Sequence, residues 1–440
     1  MKLKNFLREI SNTKDISVLM DLGRQYYSSF SKVNCAQIFN LSIFYRKIDT
    51  ERKDSLKLMT NTAFALFPFA SSDSQKPLNV TDKKHEIQIF NDFCEKISKC
   101  YLDSQLVQEP VLEDNTFILK NFAANHLDYP EFTVLQYVKY LKVLDPISYK
   151  VYGFSLYDLS GLILSLFAQA DFWDANDPTA LKDCWISNER FCMYKEIFNV
   201  TELNLDSLFV DCETIVSQKP FPTDFKNIMQ GKIGIKTNSG IFVPRSEFLF
   251  ENLLHGLTDS QFANKQKGPL LETYILPIIK KFWSQANVYT NFYLGDQTHQ
   301  KKSNDQYEQD FLIEDKNNII LIECKAQHLV EIRRNPETSV IPIKRNFDSV
   351  IGKACQQLER EKKYIQLNKA DAIFTKTSRK STFHLEKDVG TPTLYKIALT
   401  LDDYLGLAES SNSLTSKKQL NTWITNVFYL ANSIINPNRN

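Results

Sequence analysis

The chain has 440 residues, a nearly balanced 53 Lys and Arg against 52 Asp and Glu, and 43% hydrophobic residues. This composition excludes disordered, collagen-like and strongly basic histone-like proteins, and the length predicts two or three domains. The eight cysteines form neither CxxC pairs nor zinc-binding spacings, which indicates reduced thiols and a cytoplasmic location.

Residues 1–220 are predicted to be mostly helical, because apolar residues recur at spacings of three and four. The charged N-terminal segment MKLKNFLREI lacks the apolar stretch of a signal peptide. The most apolar segment, 151–170, contains Asp158 and predicts a buried helix rather than a membrane span, so no membrane association is expected. The clearest predicted helices cover Ile16–Phe30, His85–Leu106, Phe132–Leu144 and Phe154–Phe172.

The pattern changes at the segment KPFPTD, residues 219–224. An α/β connector is predicted for residues 221–265, where short alternating runs with glycine turns indicate strands. From about Gly268 the order is helix, three strands, helix and two strands, which is typical of an α/β domain. This domain is assigned to residues 266–440, and one or two closing helices are expected within Leu401–Ile435.

The segment with the clearest chemistry is YEQDFLIEDKNNIILIECKA, residues 307–326. Two alternating apolar runs flank the turn composition DKNN, which predicts a β-hairpin. Its symmetry places Asp310 opposite Glu323, with Lys325 on the same face and cross-strand Cβ atoms only ~5 Å apart. The opposite face is apolar and suits a core.

Two like charges placed opposite each other destabilise a plain sheet, and a bound divalent cation is the simplest reason to keep them. Mg²⁺ takes oxygen ligands and keeps several waters, so two carboxylates and a backbone carbonyl suffice. The metal would polarise a phosphate and activate a water, while Lys325 would orient that water or stabilise the transition state. These groups indicate hydrolysis of a phosphodiester. The alternative is a solvated hairpin face on which the lysine neutralises two acids.

Asp310 and the strand IILIECK, which ends in Glu323-Cys-Lys325, resemble the signature of the PD-(D/E)XK nuclease superfamily. The family's Pro-Asp dipeptide is Gln309-Asp310 here. The resemblance implies a restriction-endonuclease-like α/β core, in which helices flank a mixed central sheet. It also implies that Asp310 and Glu323 bind Mg²⁺, with the carbonyl of Cys324 as a third ligand and Mn²⁺ as a substitute metal.

The flanking segments extend the resemblance to residues 265–405. KGPLLETYI resembles the family's first core helix, which implies that Glu272 holds a second metal directly or through water. GKACQQLEREKKY resembles the helix after the motif, which implies that Gln357, rather than Gln356, orients the site. ADAIFT and LYKIALTL resemble the last core strands.

The segment that follows the motif is rich in lysine and arginine, which predicts contact with a DNA backbone. An ordinary solvated face is the alternative. The residues assigned to DNA binding are Arg333, Arg334, Lys344 and Arg345.

Together these features predict a metal-dependent endonuclease that cleaves DNA. The sequence has no GxxxxGK[ST] loop, so no ATP-driven motor is expected in this chain. A stand-alone nuclease with a long helical extension resembles anti-phage defence effectors or restriction enzymes, and its helical region would bind a partner subunit or form a homo-oligomer. The alternatives are a non-cutting DNA- or partner-binding scaffold and an RNA-cutting member of the same fold.

Overall fold

The structure, a computed structural model, describes residues 1–48, 56–71, 78–106, 134–168, 185–244, 248–263, 266–297, 308–327, 345–376, 378, 380–385, 392–401, 422–427 and 430. These residues form two compact units, one ending at Ala263 and the other starting at Gln266. The first is mainly helical and the second contains a large mixed sheet, so the predicted mixed α/β fold with a helical N-terminal part is confirmed. Within the described residues, no helix is both long and apolar enough to cross a membrane.

The helices of the first unit pack around a core of aromatic rings; for example, the ring centroids of Phe39 and Phe90, on two different helices, lie 4.6 Å apart. Local sequence sets where several helices begin. Asp15, for example, accepts hydrogen bonds from the backbone N–H groups of Ser17 and Val18. The helices are α1 (Leu3–Asn12), α2 (Ile16–Tyr27), α3 (Lys32–Ile48), α4 (Leu56–Leu66), α5 (Val80–Leu106), α6 (Val134–Val143), α7 (Asp145–Tyr152), α8 (Ser160–Ala168), α9 (Asn188–Ile197), α10 (Cys212–Gln218), α11 (Phe225–Ile228) and α12 (Phe248–Thr258).

Three of the four clearest predicted helices are confirmed as α2, α5 and α6, with ends displaced by a few residues. The fourth is confirmed as α8, and residues 169–172 of that prediction lie outside the described part of the chain.

The first unit also contains a small sheet, and two of its short strands lie within residues 1–220, which are otherwise mostly helical, as expected. Its strands run in the order β1-β4-β3-β2, with β2 and β3 parallel and the other pairs antiparallel. Strands of two or three residues are too short to produce a recognisable alternating pattern. Because β2 pairs with β3, the predicted connector completes a sheet begun in the helical region. The strands are β1 (Ile186–Ser187), β2 (Phe209–Asp211), β3 (Gly234–Thr237) and β4 (Gly240–Phe242).

The second unit is built on a sheet of order β11-β10-β7-β6-β5-β8-β9. β10 runs parallel to β7 and β11, and the other neighbours are antiparallel. Its elements are α13 (Lys267–Phe282), β5 (Asn287–Leu294), β6 (Gln309–Asp315), β7 (Asn318–Lys325), α14 (Lys353–Asn368), β8 (Ile373–Lys376), β9 (Thr382–His384), β10 (Thr393–Thr400) and β11 (Trp423–Asn426).

The presence of β11 corrects the expectation of closing helices, because residues 423–426 form a strand. Tryptophan, isoleucine and threonine favour strands, and the edge of β10 offers them a parallel partner, with Ile397 opposite Trp423. Residues 402–421, 428, 429 and 431–435 of that prediction lie outside the described residues.

The predicted hairpin and its register are confirmed in β6 and β7, where the pairs run from Phe311↔Ile322 to Asp315↔Asn318. The face opposite the carboxylates is buried, as expected. The carboxylate-bearing face is also buried along most of its length, because α14 packs against β7 and β10 there. The acidic groups therefore lie at the end of a hydrophobic core, which raises the cost of leaving them charged.

Candidate functional site

The candidate site forms where the central strand β6 loses its regular pairing. On the β7 side the last pair toward the open end of the hairpin is Phe311↔Ile322, so Asp310, the preceding residue in the chain, has no partner in this ladder. On the β5 side, the pair that would join Asn291 to Asp310 is missing from the described ladder. The Asp310 carboxylate instead accepts a hydrogen bond from the backbone N–H of Cys324, with 2.6 Å between Oδ2 and N. This contact ties the start of β6 to the end of β7 and fixes the carboxylate.

Lys325 joins the second predicted acid to α14. Its Nζ lies 2.6 Å from Glu323 Oε1 and 3.0 Å from Gln357 Oε1. Glu323 is only 2% exposed, and its other oxygen, Oε2, is buried without a hydrogen-bond partner among the described residues. Gln356 is exposed on the same helix, so the structure brings Gln357 to the site, as the resemblance implies.

Glu272 approaches the same place from α13, which packs against β7. Its carboxylate forms a hydrogen bond with the side chain of Asn291 on β5. Burial, together with the negative charges of Asp310 and Glu308, raises the pKa of Glu272 to about 7, against the smaller effects of Asn291 and Lys325. Four separate elements thus deliver the five predicted catalytic residues to one place.

Burial dominates the electrostatics of the two central acids. It raises the pKa of Asp310 to about 6, although the Cys324 N–H and the charge of Lys325 lower it. Burial and the charge of Asp310 raise the pKa of Glu323 to about 8, outweighing the favourable contact with Lys325. Cys324 is buried, and burial also raises the pKa of its thiol, so its side chain is a packed thiol and not a reactive thiolate.

A further acid, Glu361, lies behind the cluster on α14. It is 1% exposed, and its Oε1 is buried without a hydrogen-bond partner in the described chain. It lies one helical turn after Gln357, on the same face of the helix. Burial and the charges of Glu323 and Asp310 raise its pKa well above the ordinary glutamate value. Glu361 therefore belongs to the same electrostatic cluster.

The oxygen atoms of this site are the kind of ligand that Mg²⁺ prefers. Among the described residues, no three or more His, Cys, Asp or Glu side chains are arranged closely enough to hold a metal by themselves. Two carboxylates, a backbone carbonyl and water also satisfy Mg²⁺, and the buried, unbonded Glu323 Oε2 is an oxygen available for such a bond. Asp310 and Glu323 with the carbonyl of Cys324 thus fit the ion.

Most of the predicted DNA-binding residues lie outside the part of the chain that the structure describes. Arg333, Arg334 and Lys344 lie outside the described residues. Arg345 is exposed in the helical segment that leads through the π-helix Asp348–Gly352 into α14, and no hydrogen bond or ion pair within the described chain joins it to the carboxylates.

Two residues of the cluster are absent from the sequence-based prediction, Asn291 and Glu361. Asparagine is disfavoured inside strands, so Asn291 within the run NVYTNFYL signals from sequence alone that this position of the strand is unusual. Glu361 follows Gln357 by four residues, and the helical period therefore indicates a shared face. The complete burial of Glu361 depends on how the sheet and helix pack.

Comparison of the chain with protein-family models, with curated proteins and with solved structures finds no match. Its function therefore has to be inferred from the chemistry of this site.

Proposed function

We propose that this chain is a metal-dependent endonuclease of the PD-(D/E)XK type that hydrolyses DNA phosphodiester bonds. The observation that carries the proposal is the junction of Asp310, Glu323, Lys325 and Gln357 at the open end of the β6–β7 hairpin. A plain ion cluster offers a weaker account, because one ammonium does not offset several buried acids whose pKa is raised.

The residues divide the work as follows. Asp310 and Glu323, with the carbonyl of Cys324, would hold Mg²⁺, and Glu272 would contribute through water. A bound Mg²⁺ polarises the scissile phosphate and lowers the pKa of a bound water. Lys325 would donate hydrogen bonds to the attacking water or to the developing negative charge. Gln357 accepts a hydrogen bond from Lys325 and would keep its ammonium directed at the reacting phosphate.

Lys325 also acts on the charge of Glu323. Its ammonium lies against Glu323 Oε1, so it partly neutralises an acid that is 2% exposed. A bound cation would take over that neutralisation and would leave the Lys325 ammonium available for the phosphate. The same side chain thus serves the resting and the working site.

The decisive experiment is plasmid cleavage with Mg²⁺ or Mn²⁺. Wild type is expected to nick or linearise the plasmid, and Glu323→Ala and Lys325→Ala are expected to lose at least 10²-fold in rate. Gln356→Ala is the matched control, because this exposed glutamine neighbours Gln357 without facing Lys325. Metal-independent cleavage, or equal cleavage by all variants, would contradict the proposal. Parallel reactions on single-stranded RNA separate a DNase from an RNase.

We further propose that the nuclease acts in anti-phage defence or restriction, with the first unit as a partner-binding or oligomerisation module. Symmetric cleavage of both strands would need two active sites, which favours a homo-oligomer. Light scattering during size-exclusion chromatography, with and without DNA, tests this assembly. A monomer that cuts plain duplex constitutively would argue against a regulated defence enzyme.

A further inference from the structure

Asn291 has a backbone conformation that is rare within a strand. Its φ is 50°, in the left-handed region, although it lies in the middle of β5. Few residue types adopt this conformation, but asparagine is one of them. Left-handed residues within regular structure cost free energy and cluster at functional sites.

The consequence of this conformation is visible in the packing around β5. Strict alternation would put Tyr289 and Phe292 on opposite faces of the sheet. Both instead contact Phe383, at centroid distances of 4.3 and 5.6 Å. The turn at Asn291 therefore reverses the alternation of the strand.

The left-handed residue Asn291 lies opposite Asp310 in the sheet. The β5–β6 register is identical on both sides of Asn291, from Thr290↔Phe311 to Phe292↔Gln309, so no residue is inserted. The missing pair is the one between Asn291 and Asp310, and the Asn291 side chain forms a hydrogen bond with Glu272. The distortion thus links two of the proposed metal-site acids.

We infer that Asn291 is a positioning residue that holds the Glu272 carboxylate next to Asp310 through its left-handed backbone and side-chain hydrogen bond. The inference rests on the proposed function for its consequence, which is metal binding. Residues that orient metal-binding groups typically contribute 10-fold to 100-fold in metal affinity. The alternative is that Asn291 serves only the packing of Tyr289 and Phe292.

Two substitutions separate these roles. Asn291→Gly keeps the left-handed backbone freely accessible and removes the amide. Lys316→Gly is the matched control, because Lys316 also has a left-handed φ, of 55°, but lies exposed in the hairpin turn.

The measurement is calorimetric titration of the full chain with Mn²⁺, with urea unfolding to verify that each variant is folded. Asn291→Gly is expected to weaken Mn²⁺ binding about tenfold, and Lys316→Gly less than twofold. In the Glu272→Gln background, Asn291→Gly should change the affinity less than twofold, because its effect passes through Glu272.

Three results would overturn the inference. Unchanged Mn²⁺ affinity in the folded Asn291→Gly variant, or an equal loss of Mn²⁺ affinity when Asn291→Gly is made in the Glu272→Gln background, would do so while wild type still binds Mn²⁺ and cuts DNA. In that case the proposed function stands. A wild-type chain that neither binds Mn²⁺ nor cuts would overturn both.

Discussion

The substitution Glu323→Gln is predicted to abolish cleavage and at the same time to stabilise the metal-free protein. Burial and the charge of Asp310 raise the pKa of Glu323 from 4.5 to about 8. An acid with a raised pKa contributes stability that is fully present below its unfolded pKa and is lost as pH rises through the folded pKa. Glutamine resembles the protonated acid at every pH, so it avoids this loss.

The magnitude follows from the two pKa values. With 4.5 in the unfolded chain and about 8 in the folded one, the carboxyl costs about 1 kcal/mol at pH 5, about 3 at pH 7 and about 4 at pH 8. Glu323→Gln should recover these amounts, and the gain should therefore grow with pH. At roughly 2–4 °C per kcal/mol, the melting temperature should rise by about 10 °C at neutral pH.

The assay is urea unfolding in EDTA at pH 5 and pH 8, followed by circular dichroism. Glu359→Gln is the matched control on α14: although burial raises its pKa, the hydrogen bond and charge of Lys396 lower it overall, so this variant should show no gain at pH 8. A gain for Glu323→Gln that is equal at both pH values, or a loss, would refute the reasoning. Saturating Mg²⁺ should reverse the ranking, because the ion stabilises only the wild-type carboxylate.

Three further predictions concern the same unit. Gln357→Ala should lower kcat roughly tenfold while Gln356→Ala leaves it unchanged, and equal effects in a steady-state assay would contradict the assigned orientation. Mg²⁺ affinity should strengthen as pH rises from about 6 to 8, because the site carboxyls must lose protons before they bind the ion. Calorimetry in two buffers should detect the proton release, and a pH-independent affinity would argue against binding by these carboxyls. Glu359→Ala should lower the free energy of unfolding by about 1–3 kcal/mol, because Lys396 is 5% exposed and loses its carboxylate partner 2.6 Å away. The double variant with Lys396→Met should regain this stability in the same urea unfolding assay.

Much of the second unit follows from local sequence. The alternation on either side of DKNN determines the hairpin and its register, because both depend on residues that are near one another in the chain. The same register places Asp310 and Glu323 at the open end of the hairpin and puts Lys325 on their face. Gln357 follows from helical periodicity on α14. The central members of the candidate site were therefore predictable.

Other features depend on segments far apart in the sequence. β10 lies parallel to β7, and β11 adds to its far edge, so residues 423–426 become a strand where helical spacing was expected. The short strands β1 and β2 form because β3 and β4 are present to pair with them. Pairing partners of this kind override weak local preferences.

By itself, the sequence determined which acids and which lysine share one face, since strand and helix periods specify faces without reference to the rest of the chain. Only the tertiary structure decided how those groups behave. It buried Glu323 beneath α14 and Glu361 on the buried face of α14 itself, and it raised the pKa values of both acids. It also gave Asn291 a left-handed conformation that links Glu272 to the cluster. The physical reason is that desolvation and backbone strain arise from packing between distant segments, which no local pattern encodes.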